Sequence, residues 1–441
     1  MQSWFYEIAD YSESLLSPGE EISLHLKGER TGFSRISAGK IRQAGSIEQR
    51  NLELALRSSG REVRMNLMLS GDMSTDRSPL RAALDKLSRT LESLSEDPHL
   101  PPLPDSGSSE SRFEGELPSK SEMIQTLAGE IPLAESCGIA MTGIMYRGMA
   151  TSNAVRRWYE APLTLIDGSM HLTQHSGAAK WTWSGRDWNP EEAQLRKDRA
   201  LSSLELLSRP MDTPAAGEYR TWLEPAALRD LLGPLLWNGA FSARALAKGS
   251  SPFTSLHNGR VLDSRVSIHE RPLAVGAPSF GDLGFSLPDT IPLIDSGVGT
   301  GRLTSPRTAM ELGLNSNGVN GDEQVSAMEM STGDLSSDQT FEAVGDGLWL
   351  SHVHYCNMAA REGARVTGVT RWIALRVRNG KPVGPVGTVR IDDSVLRLLG
   401  EGLLQIGDQS EILADTHSYV SRHPRGSSLP GILVDGLRVV A

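Results

Sequence analysis

Ile22, Leu24 and Leu26 alternate with polar neighbours, the two-residue period of a half-buried strand. Residues 48–56 and 62–69 repeat that pattern. Helical periods lie on either side. Residues 3–16 form a first helix candidate, with Ser3 placed to cap it. Leu80, Leu84, Leu87, Leu91 and Leu94 step by four and three, which makes one apolar stripe on a helix facing a core. Residues 96–120 are rich in Pro, Ser and Gly and read as an exposed loop. A short helix is expected over 121–128, and buried strands over 139–146 and 161–166.

Asn189 followed by Pro190 is a cap-plus-first-turn signal, and the helix it opens carries Leu195, Leu201, Leu204 and Leu207. The Pro/Ala/Gly stretch over 209–217 suggests a boundary, dividing the chain into 1–212 and 213–441. Glu224-Pro225 opens a second helix, expected to run to Ala247 and to kink or split at Gly233-Pro234. Beyond about residue 255 short apolar runs alternate with glycine-rich turns. Asn258-Gly259, Asn379-Gly380 and Asp435-Gly436 are hairpin signals. Segregated helices and mostly antiparallel strands predict an α+β fold, with the sheet dominating the second half.

Composition narrows the function classes. The 441 residues suffice for two domains with separate cores. A formal net charge of −10 gives no electrostatic basis for nucleic-acid binding. Two cysteines, Cys137 and Cys356, do not make a disulfide scaffold and fit a reducing cytoplasm. The first ten residues carry Glu7 and Asp10 and lack the basic region of a signal peptide, and no apolar run reaches the ~18 residues of a membrane span.

Few motifs carry chemistry. Zinc peptidases commonly set two His on one helix face with a Glu between them; the His pair holds the metal and the Glu activates water. The one His-Glu dipeptide here, His269-Glu270, is followed by Arg271-Pro272, with no second His at a usable spacing. His352, His354 and Cys356 alternate, so a regular strand would put all three on one face, and their types suit zinc. The same pattern suits a strand face whose His side chains bond nearby carbonyls around a small buried Cys. No Gly-x-Ser-x-Gly elbow occurs. The glycine-rich stretch 297–301 reads as a turn, and Trp181, Trp183 and Trp188 near Arg186 suit packing.

Several segments in order resemble one family. They are Asp346-Gly347-Leu348-Trp349-Leu350, His354-Tyr355-Cys356-Asn357, Val366-Thr367-Gly368-Val369-Thr370-Arg371 and Arg378-Asn379-Gly380-Lys381. Upstream lie Gly281-Asp282-Leu283-Gly284, Pro292-Leu293-Ile294-Asp295-Ser296-Gly297, Gly301-Arg302-Leu303, Thr308-Ala309 with Leu312-Gly313, and Met149-Ala150-Thr151-Ser152-Asn153. Together, over about residues 20–440, they resemble the TldD/PmbA metallopeptidases. In that family the TldD-type subunit carries H-E-x-x-x-H on the helix opening the second domain, and a later Cys helps hold the metal. The PmbA/TldE-type subunit lacks the motif and pairs with the first. The corresponding stretch here, 224–247 leading into Lys248-Gly249-Ser250-Ser251-Pro252-Phe253, contains no His, and its centre, 235–240, has neither His nor Glu.

The resemblance therefore implies a non-catalytic partner of a TldD-type chain. Zinc would lie in that partner and none in this chain, the substrate would be an extended peptide, and a homodimer could form without the partner. Thr367, Gly368, Thr370 and Arg371 are its candidate substrate-binding residues. Two other readings remain: a divergent amide hydrolase using His352, His354 and Cys356 as a metal site, and a regulatory binding protein.

Overall fold

The computed structural model describes residues 1–440 apart from 106, 129–130, 132–133, 175–176 and 419. Seven strands form the first sheet: β1 (Glu21–Ser37), β2 (Lys40–Ser58), β3 (Arg61–Met68), β4 (Gly107–Arg112), β5 (Ala134–Thr151), β6 (Val155–Leu172) and β7 (Ala178–Gly185). Their order is β3-β2-β1-β5-β6, and β4 and β7 pair with successive halves of β6. The strands at the sheet's centre are much longer than their periodic stretches. Segment 96–120 is not simply a loop, because β4 lies in it and pairs in parallel with β6. Its Ser-Ser-Glu-Ser sequence has no apolar alternation to betray a strand.

The helices of this half are α1 (Gln2–Glu13), α2 (Met73–Leu91), α3 (Lys120–Leu127) and α4 (Pro190–Leu207). Asn189 caps α4 by accepting from the Glu192 N–H, as its sequence suggests. Ser3 is not a cap; α1 starts one residue earlier, with Met1 at the N-cap position. All four helices lie on one face of the sheet. Leu24, Leu26, Leu52 and Leu54 meet Phe5, Ile8, Leu80, Leu84 and Leu87 there, and farther along Ile36, Ile166, Trp181 and Trp183 meet Met123, Leu127, Leu204 and Leu207. The opposite face is polar and still buried: His25, Glu29, Thr31, Arg147 and Arg157 point away from the helices. A polar face can be buried only if something bonds it, and the second half of the chain does so.

That half holds β8 (Gly217–Leu223), β9 (Ile268–Glu270), β10 (Ile291–Asp295), β11 (Val298–Gly299), β12 (Ala327–Met330), β13 (Gly347–Ala360), β14 (Arg365–Arg378), β15 (Lys381–Pro385), β16 (Arg390–Ser394), β17 (Leu403–Ala414) and β18 (Gly426–Val440). Strands β18, β16, β14, β13 and β8 follow one another, and β8 pairs back to β18, so five strands close into a ring. Helix α5 (Pro225–Trp237) packs against four of them, burying Leu228, Leu231, Leu232 and Leu235 in the largest core cluster. Mixed helix and sheet, antiparallel-rich in the second half, make the fold α+β.

Two local expectations change. The helix expected over 224–247 does not break at Pro234: α5 continues through it to Trp237, and the chain turns at Gly239 (φ +73°) before a separate helix, Ala243–Ala247. Proline lacks only the one N–H that would bond Asp230's carbonyl, and leucines packed on both sides hold the helix. Of the three hairpin signals, Asn379-Gly380 joins β14 to β15. Asn258 instead caps a short helix, and Gly436 (φ +68°) makes an irregularity inside β18.

Among the described residues no helix is long and apolar enough to cross a membrane.

Candidate functional site

The two halves are joined by buried polar contacts. Arg422, in the loop between β17 and β18, pairs with Glu29 at 3.1 Å and donates to the Leu163 carbonyl. Arg147 donates to the Arg422 carbonyl, Arg157 to Gly284 and the Tyr159 hydroxyl to Gly276. His25 Nδ1 stands 3.3 Å from Asp282. Burial pushes the Glu29 carboxyl up, but the Thr31 hydroxyl, Arg422 and Gln49 outweigh it and hold the group below its usual value.

Beside this seam β6 and β7 face β13 and β14. Alternation puts Lys180 and Thr182 on the face opposite the core residues Trp181 and Trp183. Lys180 pairs with Asp167 at 2.6 Å, and its ammonium lies 5.5 Å from the centre of the Trp372 ring. His171 meets the same ring edge-on at 5.7 Å, and the Arg371 guanidinium lies over it at 4.7 Å. Trp372 is an extra residue in β14, at a register shift opposite Leu350–His352, and its φ is +61°. A bulky residue there is strained, and such bulges re-aim a side chain. Here the indole is carried into a cleft of about 520 Å³ between the halves. His171, Arg209, Arg371 and Trp372 line it together with Leu207, Pro210, Met211, Pro385 and Val386.

The residues singled out from sequence are distributed unevenly around this cleft. Arg371 opens onto it, and Thr370 contributes to its wall, but the Thr370 hydroxyl is occupied: it donates to Gly387 and accepts from the Val389 N–H. The Thr367 hydroxyl donates to Ile391. Gly368 is needed for close packing, since a Cβ there would lie 2.6 Å from Val353 Cγ1 and 2.9 Å from Cys356 Sγ.

The single face expected for His352, His354 and Cys356 is not formed. A register shift between His354 and Asn357, with Tyr355 at φ +50°, inserts one residue into β13. His354 lies exposed against Tyr355, while Cys356 turns to the α5 side and packs with Val353 and Met358 on the core. Burial and the neighbouring Asp230 push the Cys356 thiol up to about 12. Burial, Lys180 and Arg229 hold His352 well below the usual histidine value. A zinc site needs three or four ligands converging on one point; among the described residues no three His, Cys, Asp or Glu side chains do so. The described residues do not fit a resident metal ion.

Helix α5 brings two carboxyls to this region. Asp230 accepts from the Val353 N–H at 3.2 Å, and burial raises it to about 6. Burial also raises Glu224, at the helix N-cap, to about 7; the Trp222 indole N–H offsets part of the effect and Glu411 adds to it. A carboxyl with a raised folded-state value stabilises the protein below its unfolded pKa, and that contribution is lost as pH rises through the folded value. Glu224→Gln is therefore expected to be neutral near pH 4 and to stabilise by on the order of 1–2 kcal/mol above pH 7. Urea unfolding of both proteins at the two pH values measures the difference.

Sequence reasoning missed Lys180, Asp167, His171 and Arg209. The only sequence signal was the alternation of Lys180 and Thr182 with two tryptophans.

Three solved structures share the fold over nearly their whole length. TldE from Thermococcus kodakarensis aligns with a TM-score of 0.80 at 12% identity, covering 99% of this chain and 100% of that one. A protein from Thermotoga maritima, named as a candidate modulator of a DNA gyrase, aligns with a TM-score of 0.79 at 16% identity, covering 99% and 100%. A similarly named protein from Bacteroides thetaiotaomicron aligns with a TM-score of 0.77 at 15% identity, covering 100% and 98%. No curated protein matches the sequence. Residues 216–441, just over half of the chain and including the strand ring, α5 and the whole β13–β14 hairpin, match the PmbA/TldA metallopeptidase C-terminal domain, and the chain therefore belongs to the TldD/PmbA metallopeptidase family.

Proposed function

We propose that this chain is the metal-lacking, TldE-type subunit of a two-chain metallopeptidase acting on extended peptides. The observation that carries the reading is the side-chain inventory of α5. The helix packed against β13 carries Asp230, with Glu224 at its N-cap, and no histidine, while Cys356 stands opposite as a protonated thiol. Such a subunit contributes walls and binding groups to a shared chamber, and the partner supplies zinc to polarise the peptide carbonyl and activate water. Enclosure between two chains admits an unfolded segment and rejects a folded domain. The structural likeness to a TldE supports the fold this role requires. Two homologous subunits present similar patches to each other, so a homodimer is the expected form without the partner. A cytoplasmic setting accords with two free cysteines.

The test is reconstitution. Purified alone, the chain is expected to carry no stoichiometric zinc and to leave an unfolded peptide intact. Mixed with a family member bearing H-E-x-x-x-H, it is expected to co-elute with that chain and raise its peptide hydrolysis. Metal analysis showing one zinc per chain together with hydrolysis by the isolated protein would overturn the reading.

A further inference from the structure

The cleft between β6–β7 and β14 is built against the overall charge of the molecule. The chain has 54 acidic and 44 basic residues, and most of its arginines lie against a carboxylate or a carbonyl. The described residues lining this cleft include no Asp or Glu, yet they include Arg209 and Arg371. Neither arginine has a carboxylate partner among the described residues. His171 adds donor capacity without charge, because burial and the nearby Arg371 lower its pKa.

Arg371 is also held in place. Its guanidinium lies over the indole of Trp372, which the β14 bulge fixes at φ +61°, and His171 and Lys180 hold the same ring from other sides. A stacked guanidinium loses little freedom when it binds an anion, and its fork matches a carboxylate. The rest of the lining combines the aliphatic Leu207, Pro210, Met211, Pro385 and Val386 with the hydroxyls of Ser208 and Thr388. Two cations without a carboxylate partner among the described residues, in a cleft that also presents five aliphatic side chains, fit a monoanion attached to a partly apolar chain. They fit a free phosphate or a polyanion less well, because either would leave the aliphatic side chains uncovered.

We infer that this cleft binds the C-terminal carboxylate of an extended peptide, with Arg371 and Arg209 supplying the positive charge for the carboxylate and the aliphatic lining residues packing on the preceding side chains. The inference rests on the peptide-binding role proposed above and adds which end of the peptide this subunit holds. The volume of about 520 Å³ accommodates a few residues, so recognition is of the terminus and independent of the sequence farther along.

The experiment uses the full-length chain alone, so its outcome does not depend on a partner's activity. Titration calorimetry compares the tetrapeptide Ala-Leu-Ala-Leu as the free acid, the same peptide as its C-terminal amide, sodium acetate and inorganic phosphate. The acid is expected to bind about tenfold more tightly than the amide, the equivalent of one charge-assisted pair. Acetate is expected to bind more weakly than the peptide acid. Arg371→Ala and Arg209→Ala are expected to remove the preference for acid over amide while circular dichroism stays unchanged, and Arg371→Lys is expected to restore part of it.

Equal binding of acid and amide, or phosphate binding more tightly than the peptide acid, overturns the assignment. So does a preference that survives in both alanine variants. If the preference holds but the chain raises no partner's hydrolysis, the subunit role fails and the carboxylate site stands.

Discussion

Replacing Arg422 with alanine is expected to lower the unfolding free energy by about 3–5 kcal/mol, the cost of leaving a buried charge without its partner. The Arg422 and Glu29 side chains are 5% and 3% exposed, and the arginine also donates to the Leu163 carbonyl and through its backbone N–H to Glu29. Removing the guanidinium strands the Glu29 carboxylate with the Thr31 hydroxyl and the Gln49 amide. The double variant Glu29→Gln with Arg422→Met removes both charges and is expected to recover most of the loss, because replacing a buried pair with neutral groups of similar volume costs little. Guanidinium unfolding of the wild type, Glu29→Gln, Arg422→Met and their double variant gives the coupling energy. A loss below about 1 kcal/mol for Arg422→Ala would place the pair in the class of weak surface bridges and refute its role as the tie between the halves.

The second large effect is a dependence on pH. His25 is buried on the polar face of β1, and burial lowers its value to about 4 despite the attraction of Asp282. Lys27, Arg147 and Arg64 push in the same direction as burial. In the unfolded chain the imidazole takes up a proton near pH 6.5, whereas in the folded protein it refuses one until about pH 4. Between those values the unfolded state binds more protons, so stability is complete above about 6.5 and falls as pH drops toward 4. At about 1.4 kcal/mol per unit the loss approaches 3 kcal/mol. Glu224 and Asp230 act with the opposite sign over an overlapping range, since their folded values are raised. The comparison is therefore made against His25→Asn, which is expected to show a shallower decline in melting temperature from pH 6.5 to 4. Parallel curves for the two proteins would mean that His25 titrates normally in the folded state.

Both effects arise on a surface that alternation predicted only in part. Ile22, Leu24 and Leu26 identify β1 as a strand with one apolar face. The intervening positions, His25 among them, read as solvent-facing polar residues, and they are buried. A two-residue period reveals which residues share a face but not whether another part of the chain covers the polar one. The loop carrying Arg422 lies almost 400 residues from Glu29 in sequence, so no local pattern connects them.

The candidate site shows the same division. Thr370 and Arg371 were singled out together from a single motif, and the structure separates them. Arg371 opens onto the cleft, while the Thr370 hydroxyl is bound to backbone groups at 387 and 389. His352, His354 and Cys356 share a face in any regular strand. One extra residue near Tyr355 turns Cys356 toward α5, and a second at Trp372 carries an indole into the cleft. A bulge adds a residue without altering composition or hydropathy, so periodicity cannot register it.

The sequence by itself determined the α+β class, the helix opened by Asn189-Pro190, the Asn379-Gly380 hairpin and the family. Each rests on local propensity or on an ordered set of short motifs, which neighbouring residues encode. It also determined that α5 carries no histidine, a fact of composition that no folding could change. Only the tertiary structure decided that the polar face of the first sheet is buried, that β8 closes a ring with β18, and that Arg209, just past α4, and Arg371 in β14 line one cleft. Those features depend on which distant segments meet and on two one-residue shifts in register. They follow from packing the whole chain together, a condition that no short stretch of sequence contains.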